Sequence, residues 1–250
     1  MNFDKNLIEK LAEAENVAVL TGAGVSAESG IKTFRDPDGL WAKLNPDELA
    51  SIEGFMKNPE TVWNWYNERR KVIASAKPNA GHIALAKMET LYKNFALITQ
   101  NIDRLHQAAG SKNVFELHGN IVENHCLNCH TPYTEEINTD NKELPKCPVC
   151  GGKIRPSVVW FGEQLPAKAI MGAEKATCSC QVFFTIGTSS EVYPAASLPY
   201  LAKNYGAVVI EINPRETSFS DNADYVLKGT SANVLPELVE CIIEAKGNKN

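Results

Sequence analysis

The chain has 250 residues, 44% of them apolar, and carries 25 Lys and Arg against 30 Asp and Glu for a formal net charge of −5. That composition excludes disordered, collagen-like and low-complexity architectures, and the mild acidity argues against a nucleic-acid binder that neutralises phosphates with clustered Lys and Arg. No apolar run approaches the roughly 18 residues of a membrane span, and Phe3, Leu7, Ile8 and Leu11 make a helical stripe rather than a signal-peptide core, so a cytoplasmic protein without membrane association is expected.

In chain order, β-branched and aromatic runs at 17–21, 95–99, 114–117, 182–186, 207–212 and 225–227 read as strands. They are nearly continuous in apolar character rather than alternating, the pattern of a parallel sheet covered by helices on both faces. Helical periodicity occupies 61–76, 80–92 and 234–245, the last with Asn233 as its N-cap. The fold expected is α/β, a Rossmann-like doubly wound parallel sheet. Two segments break the βα rhythm. Residues 31–75 are turn-rich and then helical, and 121–157 hold two Cys-x-x-Cys pairs in polar, turn-prone sequence. Both are expected to be insertions forming a smaller module, with 1–30, 76–120 and 158–250 composing the larger domain.

The first strand runs into Gly22-Ala23-Gly24-Val25-Ser26-Ala27, a fit to G-x-G-x-x-G/A, in which bare backbone approaches a pyrophosphate. Gly30 then interrupts the helix that a dehydrogenase would continue. The spacing Cys126-x2-Cys129-x17-Cys147-x2-Cys150 predicts a tetrahedral Zn²⁺ site, structural because four thiolates leave no open position. His125 and His130 flank the first pair and are expected to be neighbours rather than ligands. Cys178, Cys180 and Cys241 are left over as ordinary core or surface residues. Gln100-Asn101-Ile102-Asp103 follows the second strand and His118-Gly119 the third, so an amide, a carboxylate and an imidazole should emerge on the glycine-turn rim, where such sheets bind ligands. Singly, Asp103 reads as a helix cap and His118 as a bonded core residue; together they point to catalysis. Gly187-Thr188-Ser189 and Asn213-Pro214 end two later strands with short polar groups suited to ribose and adenine.

Taken in order, these strings, with Gly30-Ile31-Lys32-Thr33-Phe34-Arg35 and Val158-Val159-Trp160-Phe161-Gly162-Glu163, resemble the sirtuins, NAD-dependent protein lysine deacylases, over residues 17–235. The resemblance implies NAD as cosubstrate, one structural Zn²⁺, and acyl-lysine proteins or peptides as partners. It implies that the acyl oxygen displaces nicotinamide from C1′ of its ribose, that His118 is the general base on a ribose hydroxyl, and that Asn101 and Asp103 position the ribose and the carboxamide. Gly22, Ala23, Gly24, Ser26, Gly30, Phe34, Arg35, Gln100, Ile102, Gly187, Thr188, Ser189, Asn213 and Ala232 would contact cofactor, and Val159, Phe161 and Gly162 would pair with the substrate backbone. The helix bearing Trp63-Asn64-Trp65-Tyr66-Asn67-Glu68-Arg69-Arg70 is similar to that of the class III branch, in which Tyr66 and Arg69, three apart on one face, would hold an acidic acyl group such as succinyl or malonyl. Without the resemblance, that helix reads as packing its aromatics with Arg69 snorkelling outward. Other classes stay open: a hydride-transferring dehydrogenase, a zinc-ribbon binding module, and, nearest, a mono-ADP-ribosyltransferase using the same NAD site.

Overall fold

A computed structural model describes residues 3–33 and 46–247. Six strands form one parallel sheet: β1 (Asn16–Thr21), β2 (Asn94–Thr99), β3 (Val114–Glu116), β7 (Val182–Ile186), β8 (Val208–Asn213) and β9 (Tyr225–Lys228), in the order β3-β2-β1-β7-β8-β9. These are the six runs read from the sequence. Alternate residues of each strand enter opposite cores. Val17, Val19, Leu97, Phe184 and Ile210 pack under the helices Lys5–Glu13, Ala80–Glu89 and Ser231–Gly247 through Leu7, Leu11, Leu85, Met88, Leu235 and Leu238. Ala18, Leu20, Ile98, Phe183 and Val209 pack on the other face against Ala173, Leu198 and Ala202 of the helices Ala167–Ser179 and Leu198–Asn204. Burial on both faces removes the polar alternate positions, which is why the strands read as unbroken apolar runs.

The remaining strands, β4 (Gly119–Cys126), β5 (Pro132–Tyr133) and β6 (Ile154–Val158), make a small antiparallel sheet in the order β5-β4-β6. Phe55, Val62 and Tyr66, from the helices Ile52–Lys57 and Pro59–Ser75, close a core with Ile121, Val158 and Trp160. Ser51 caps the first of these helices through its hydroxyl, and Pro59 starts the second, where its missing N–H costs nothing. Arg70 fastens the second helix to β4. Its buried guanidinium donates to Ile121 O, Asn67 Oδ1 and Asn124 Oδ1 and lies 4.7 Å from the Trp63 ring centroid.

One local expectation changes, while the interruption read at Gly30 is present. Asn233 lies within its helix, which begins at Ser231, and its N–H donates to Thr230 O, so it is not the N-cap. The first β-strand is followed by two short 3-10 turns, Ala23–Val25 and Ala27–Ser29, closed by Gly30 at φ +84°, rather than by an α-helix. Among the described residues, no helix is long and apolar enough to cross a membrane.

Candidate active site and metal centre

Strand order reverses beside β1, which has β2 on one side and β7 on the other; a doubly wound sheet opens a crevice at such a point. Here the turn after β1 leans directly on the turn after β7. Gly22 N–H donates to Ile186 O at 3.0 Å and Gly24 N–H to Gly187 O at 2.8 Å. A Cβ on Gly22 would lie 2.8 Å from Gly187 O, and one on Gly24 2.8 Å from Gly187 Cα. Gly187 itself sits at φ +61°. Glycine is therefore required for contact between the two turns, and the bare backbone left at the rim fits a dinucleotide. No long helix starts here, and the amides of Gly22, Gly24, Val25, Ser26 and Gly187 are spent within the chain, so these glycines offer a phosphate close approach rather than a helix dipole.

Beneath this rim lies a continuous polar network. The Ser26 hydroxyl donates to Asp103 Oδ2 at 2.7 Å and accepts from Asn101 Nδ2 at 3.2 Å, while the same amide reaches Gly22 O at 3.0 Å. Asp103 Oδ1 accepts the Leu105 N–H, and all three side chains are buried. Burial raises the Asp103 carboxyl above its ordinary range against those hydrogen bonds. Gln100 Nε2 donates to Thr188 Oγ1 at 3.1 Å and Asn213 Nδ2 to Thr188 O at 2.8 Å, lacing the ends of β2, β7 and β8 together. Ser189 joins the same edge, its carbonyl accepting from Ser218. The Ala232 N–H donates to Glu28 Oε2 at 3.3 Å, and Ile102 O accepts the Ile121 N–H, tying this loop to β4. Phe34 and Arg35 lie outside the described residues.

His118, half-buried at the end of β3, places Nδ1 3.0 Å from Gln100 O. A carbonyl only accepts, so Nδ1 carries the hydrogen and Nε2 holds the lone pair. Burial lowers the imidazole's pKa below its ordinary value, so it is neutral at neutral pH.

Sequence reasoning missed two histidines in this network. His82 Nδ1 accepts the Asn79 N–H of a capping box, so Nε2–H can donate to Ser26 Oγ at 3.4 Å. His106 Nε2 lies 3.0 Å from Thr21 Oγ1, and the two rings are 4.8 Å apart. The signal that could have found His82 is Asn79-x-x-His82 at a helix start. Burial pushes His82 down to about 4 and His106 to about 3, the latter also by its neighbouring ring. Unfolding restores a value near 6.5, so the neutral pair stabilises the fold in full above pH 6.5. That stability is eroded as pH falls and is lost below the folded values, at about 1.4 kcal/mol per pH unit for each histidine. Urea unfolding should thus show stability falling steeply between pH 6.5 and 4, with a shallower slope in His106→Gln; an unchanged slope would remove the pair from the acid response.

At the far end of β4, the sulfurs of Cys126, Cys129, Cys147 and Cys150 all lie within 4.8 Å of one another, with 3.4 to 3.7 Å between neighbours. Tetrahedral Zn²⁺ with Zn–S of about 2.3 Å places sulfurs about 3.8 Å apart, so the four thiols fit that ion. Asn128 N–H points at Cys126 Sγ, and left-handed His130 and Gly151 turn the two knuckles. His125 turns away to Ser157 Oγ at 2.9 Å and leaves the four sulfurs as the ligand set.

Between the two regions, Tyr66 is 2% exposed and its hydroxyl accepts the Trp160 indole N–H at 2.9 Å. Burial pushes this phenol to about 12, so it stays a neutral O–H donor. Arg69, half-buried one turn on, stacks 5.2 Å over Trp65, and no carboxylate of the described residues pairs with it. Val159 N–H donates to His118 O, Phe161 N–H to Ala50 O and Trp160 N–H to Glu163 Oε2. Strand addition to 159–162 therefore cannot use the amides of Val159 and Phe161, which the chain itself consumes.

A protein of Aquifex aeolicus named NAD-dependent protein deacylase is 50% identical over 234 residues, covering 94% of this chain and 98% of its own. One of Archaeoglobus fulgidus, NAD-dependent protein deacylase 1, is 46% identical over 243 residues, covering 97% of this chain and 99% of its own. A Sir2 homologue solved with NAD superposes with a TM-score of 0.92 at 44% identity, over 98% of this chain and 96% of that one. Another Sir2 protein, solved with a deacetylated p53 peptide and 3′-O-acetyl ADP-ribose, gives 0.84 at 35% identity, over 97% and 98%. The family model described as Sir2 family matches residues 22–194. That match, these identities over nearly the whole chain and these superpositions show that the chain belongs to the Sir2 family.

Proposed function

We propose that the protein is an NAD-dependent lysine deacylase that removes acetyl, succinyl and malonyl groups from lysine side chains, releasing nicotinamide and O-acyl-ADP-ribose. Its most direct support is His118: a neutral imidazole whose Nδ1–H is spent on Gln100 O, leaving Nε2 as a base on the rim shared with Asn101 and Asp103. Bound NAD supplies the electrophilic ribose carbon and the hydroxyl that takes over the acyl group. The chain's own residues do the rest. The Gly22, Gly24 and Gly187 backbone, with Ala23, Gly30, Phe34 and Arg35, receives the phosphates and nicotinamide ribose; Thr188, Ser189, Asn213 and Ala232 receive the adenosine. Asn101 and Asp103 hold ribose and carboxamide, ordered by Ser26, and His118 Nε2 withdraws the proton from the ribose hydroxyl. Residues 1–30, 76–120 and 158–250 would act as the cofactor domain, and 31–75 with 121–157 as the module that closes the substrate cleft.

Acidic acyl selectivity is supported by a guanidinium and a phenol on one helical face, the guanidinium paired with no carboxylate among the described residues. A carboxylate entering an apolar channel has lost its water and needs such partners. Hydrogen bonds to a charged group contribute about 1.5–3 kcal/mol each, so losing one should cost about 10- to 100-fold. Arg69→Met keeps the apolar stem and removes the fork. It should depress kcat/KM for succinyl-lysine by that factor and leave acetyl-lysine within a few-fold, read by mass on a panel of acyl peptides with NAD. Equal loss on both substrates would make Arg69 a support for the module instead. The same spectra separate deacylation, a lost acyl mass, from ADP-ribosyl transfer, a gained one.

A further inference from the structure

Arg155 stands on β6 only 3% exposed. Its Nη1 and Nη2 donate to the two oxygens of Glu163, Nη2 also donates to Val158 O at 2.8 Å, and its Cζ lies 3.4 Å from the Trp160 ring centroid. Glu163 Oε2 accepts the Trp160 N–H at 2.8 Å while Glu163 N–H donates to Trp160 O at 3.0 Å. Residues 160–163 are thereby a turn closed at both ends, with Gly162 at φ +84° in the third position that a type II turn reserves for glycine. Phe161 is 55% exposed on this turn, and the Trp160 indole reaches inward to the Tyr66 hydroxyl. Burial works against the Glu163 carboxylate, yet Arg155 and the Trp160 amide hold its pKa below the usual range.

We propose that Arg155 and Glu163 form a positioning pair for acyl-lysine recognition, fixing the 160–163 turn and, through Trp160, the Tyr66 hydroxyl in one arrangement before substrate arrives. The proposal rests on the reading that 159–162 receives the substrate strand. Neither side chain need touch substrate. A four-residue surface turn carrying a glycine samples many conformers when free, and each must be surrendered on binding; a bidentate pair between buried Arg155 and half-buried Glu163 removes that cost in advance. The pair also joins two parts of recognition that are distant in sequence, the backbone-pairing turn and the acyl-facing helix.

The test compares Glu163→Gln, which keeps shape and one hydrogen bond but removes the charge, with Phe161→Ala, which strips the turn's exposed side chain. Acyl-lysine peptide and ADP-ribose binding are measured by calorimetry alongside Tm, and KM for the peptide against kcat. Glu163→Gln should weaken peptide binding and raise its KM about 10-fold or more, with ADP-ribose affinity within about twofold. If Phe161→Ala weakens the peptide and Glu163→Gln does not, the pair has no positioning role although the turn still receives substrate. If Phe161→Ala leaves peptide affinity untouched, the substrate reading of the turn fails, and the proposal with it. Loss of both ligands together with Tm would make the pair a general brace and overturn the proposal. Should Glu163→Gln fail to fold, Arg155→Lys, which keeps the charge and removes the fork, is judged by the same split between peptide and ADP-ribose.

Discussion

His118→Ala should leave a folded, zinc-containing protein whose NAD-dependent deacylation is slower by about 10²- to 10⁴-fold, the usual cost of deleting a general base. Among the described residues the imidazole makes one hydrogen bond, from Nδ1 to Gln100 O, and alanine removes that donor without placing a charge in the rim. The main-chain contacts around it, Val159 N–H to His118 O and Leu117 N–H to Thr99 O, do not involve the side chain. ADP-ribose affinity and Tm should accordingly stay close to wild type. Because burial lowers the His118 pKa, the acid limb of kcat/KM should lie below pH 6.5, and it should vanish from the residual activity of the variant. Wild-type turnover in a folded His118→Ala protein would take the residue out of the mechanism.

What could be read from the sequence follows from what each signal depends on. Strands such as 17–21 and 182–186 were legible because burial on both faces writes an unbroken apolar run into the chain. The gathering of Asn101 and His118 at one rim was legible because parallel strands deliver their following loops to the same edge of the sheet. The four cysteines carry their geometry in their spacing. Partnerships between side chains distant in sequence were not legible: Ser26 with His82, 56 apart, Tyr66 with Trp160, 94 apart, and Glu28 with the Ala232 amide, 204 apart. Those contacts are set by how the helices and the small sheet dock, and no local pattern records them. For the same reason the amides of Val159 and Phe161 looked available for strand pairing. The donors are consumed by His118 O and Ala50 O, which lie on elements the sequence could not place beside them. The small sheet itself went unread because β5 has two residues and β4 is irregular between Gly119 and Asn124, leaving too little alternation to mark a strand.

Metal analysis of freshly purified, reduced protein should find one Zn²⁺ per chain, and Cys147→Ser should lose it with the largest stability change of any single substitution considered. Four thiols within 4.8 Å of one another cannot all ionise without a cation, while structural zinc supplies on the order of 10–16 kcal/mol of apparent binding energy to a small module. The peptide structure around the sulfurs is thin: Cys126 N–H to Thr131 O, Leu127 N–H to Lys153 O, Cys147 N–H to Gly152 O and Ile154 N–H to Pro145 O hold the ribbon, with a small apolar cluster of Trp63, Cys126, Cys147 and Ile154 behind them. Hydrogen exchange should therefore rise sharply over 126–154 in Cys147→Ser while the amides of β1, β7 and β8 stay protected, since their cores contain none of these residues. The damage should also reach the acyl side. Arg70 anchors the helix bearing Tyr66 and Arg69 to Ile121 O and Asn124 Oδ1 on β4, whose last residue is Cys126. Freeing that end of the strand loosens the helix, so peptide affinity should fall in the zinc-free protein, while ADP-ribose should bind nearly as before if it occupies the glycine turns of the large sheet as proposed. Purified protein without zinc, or Cys147→Ser with unchanged exchange over 126–154, would show that the ribbon stands without the metal.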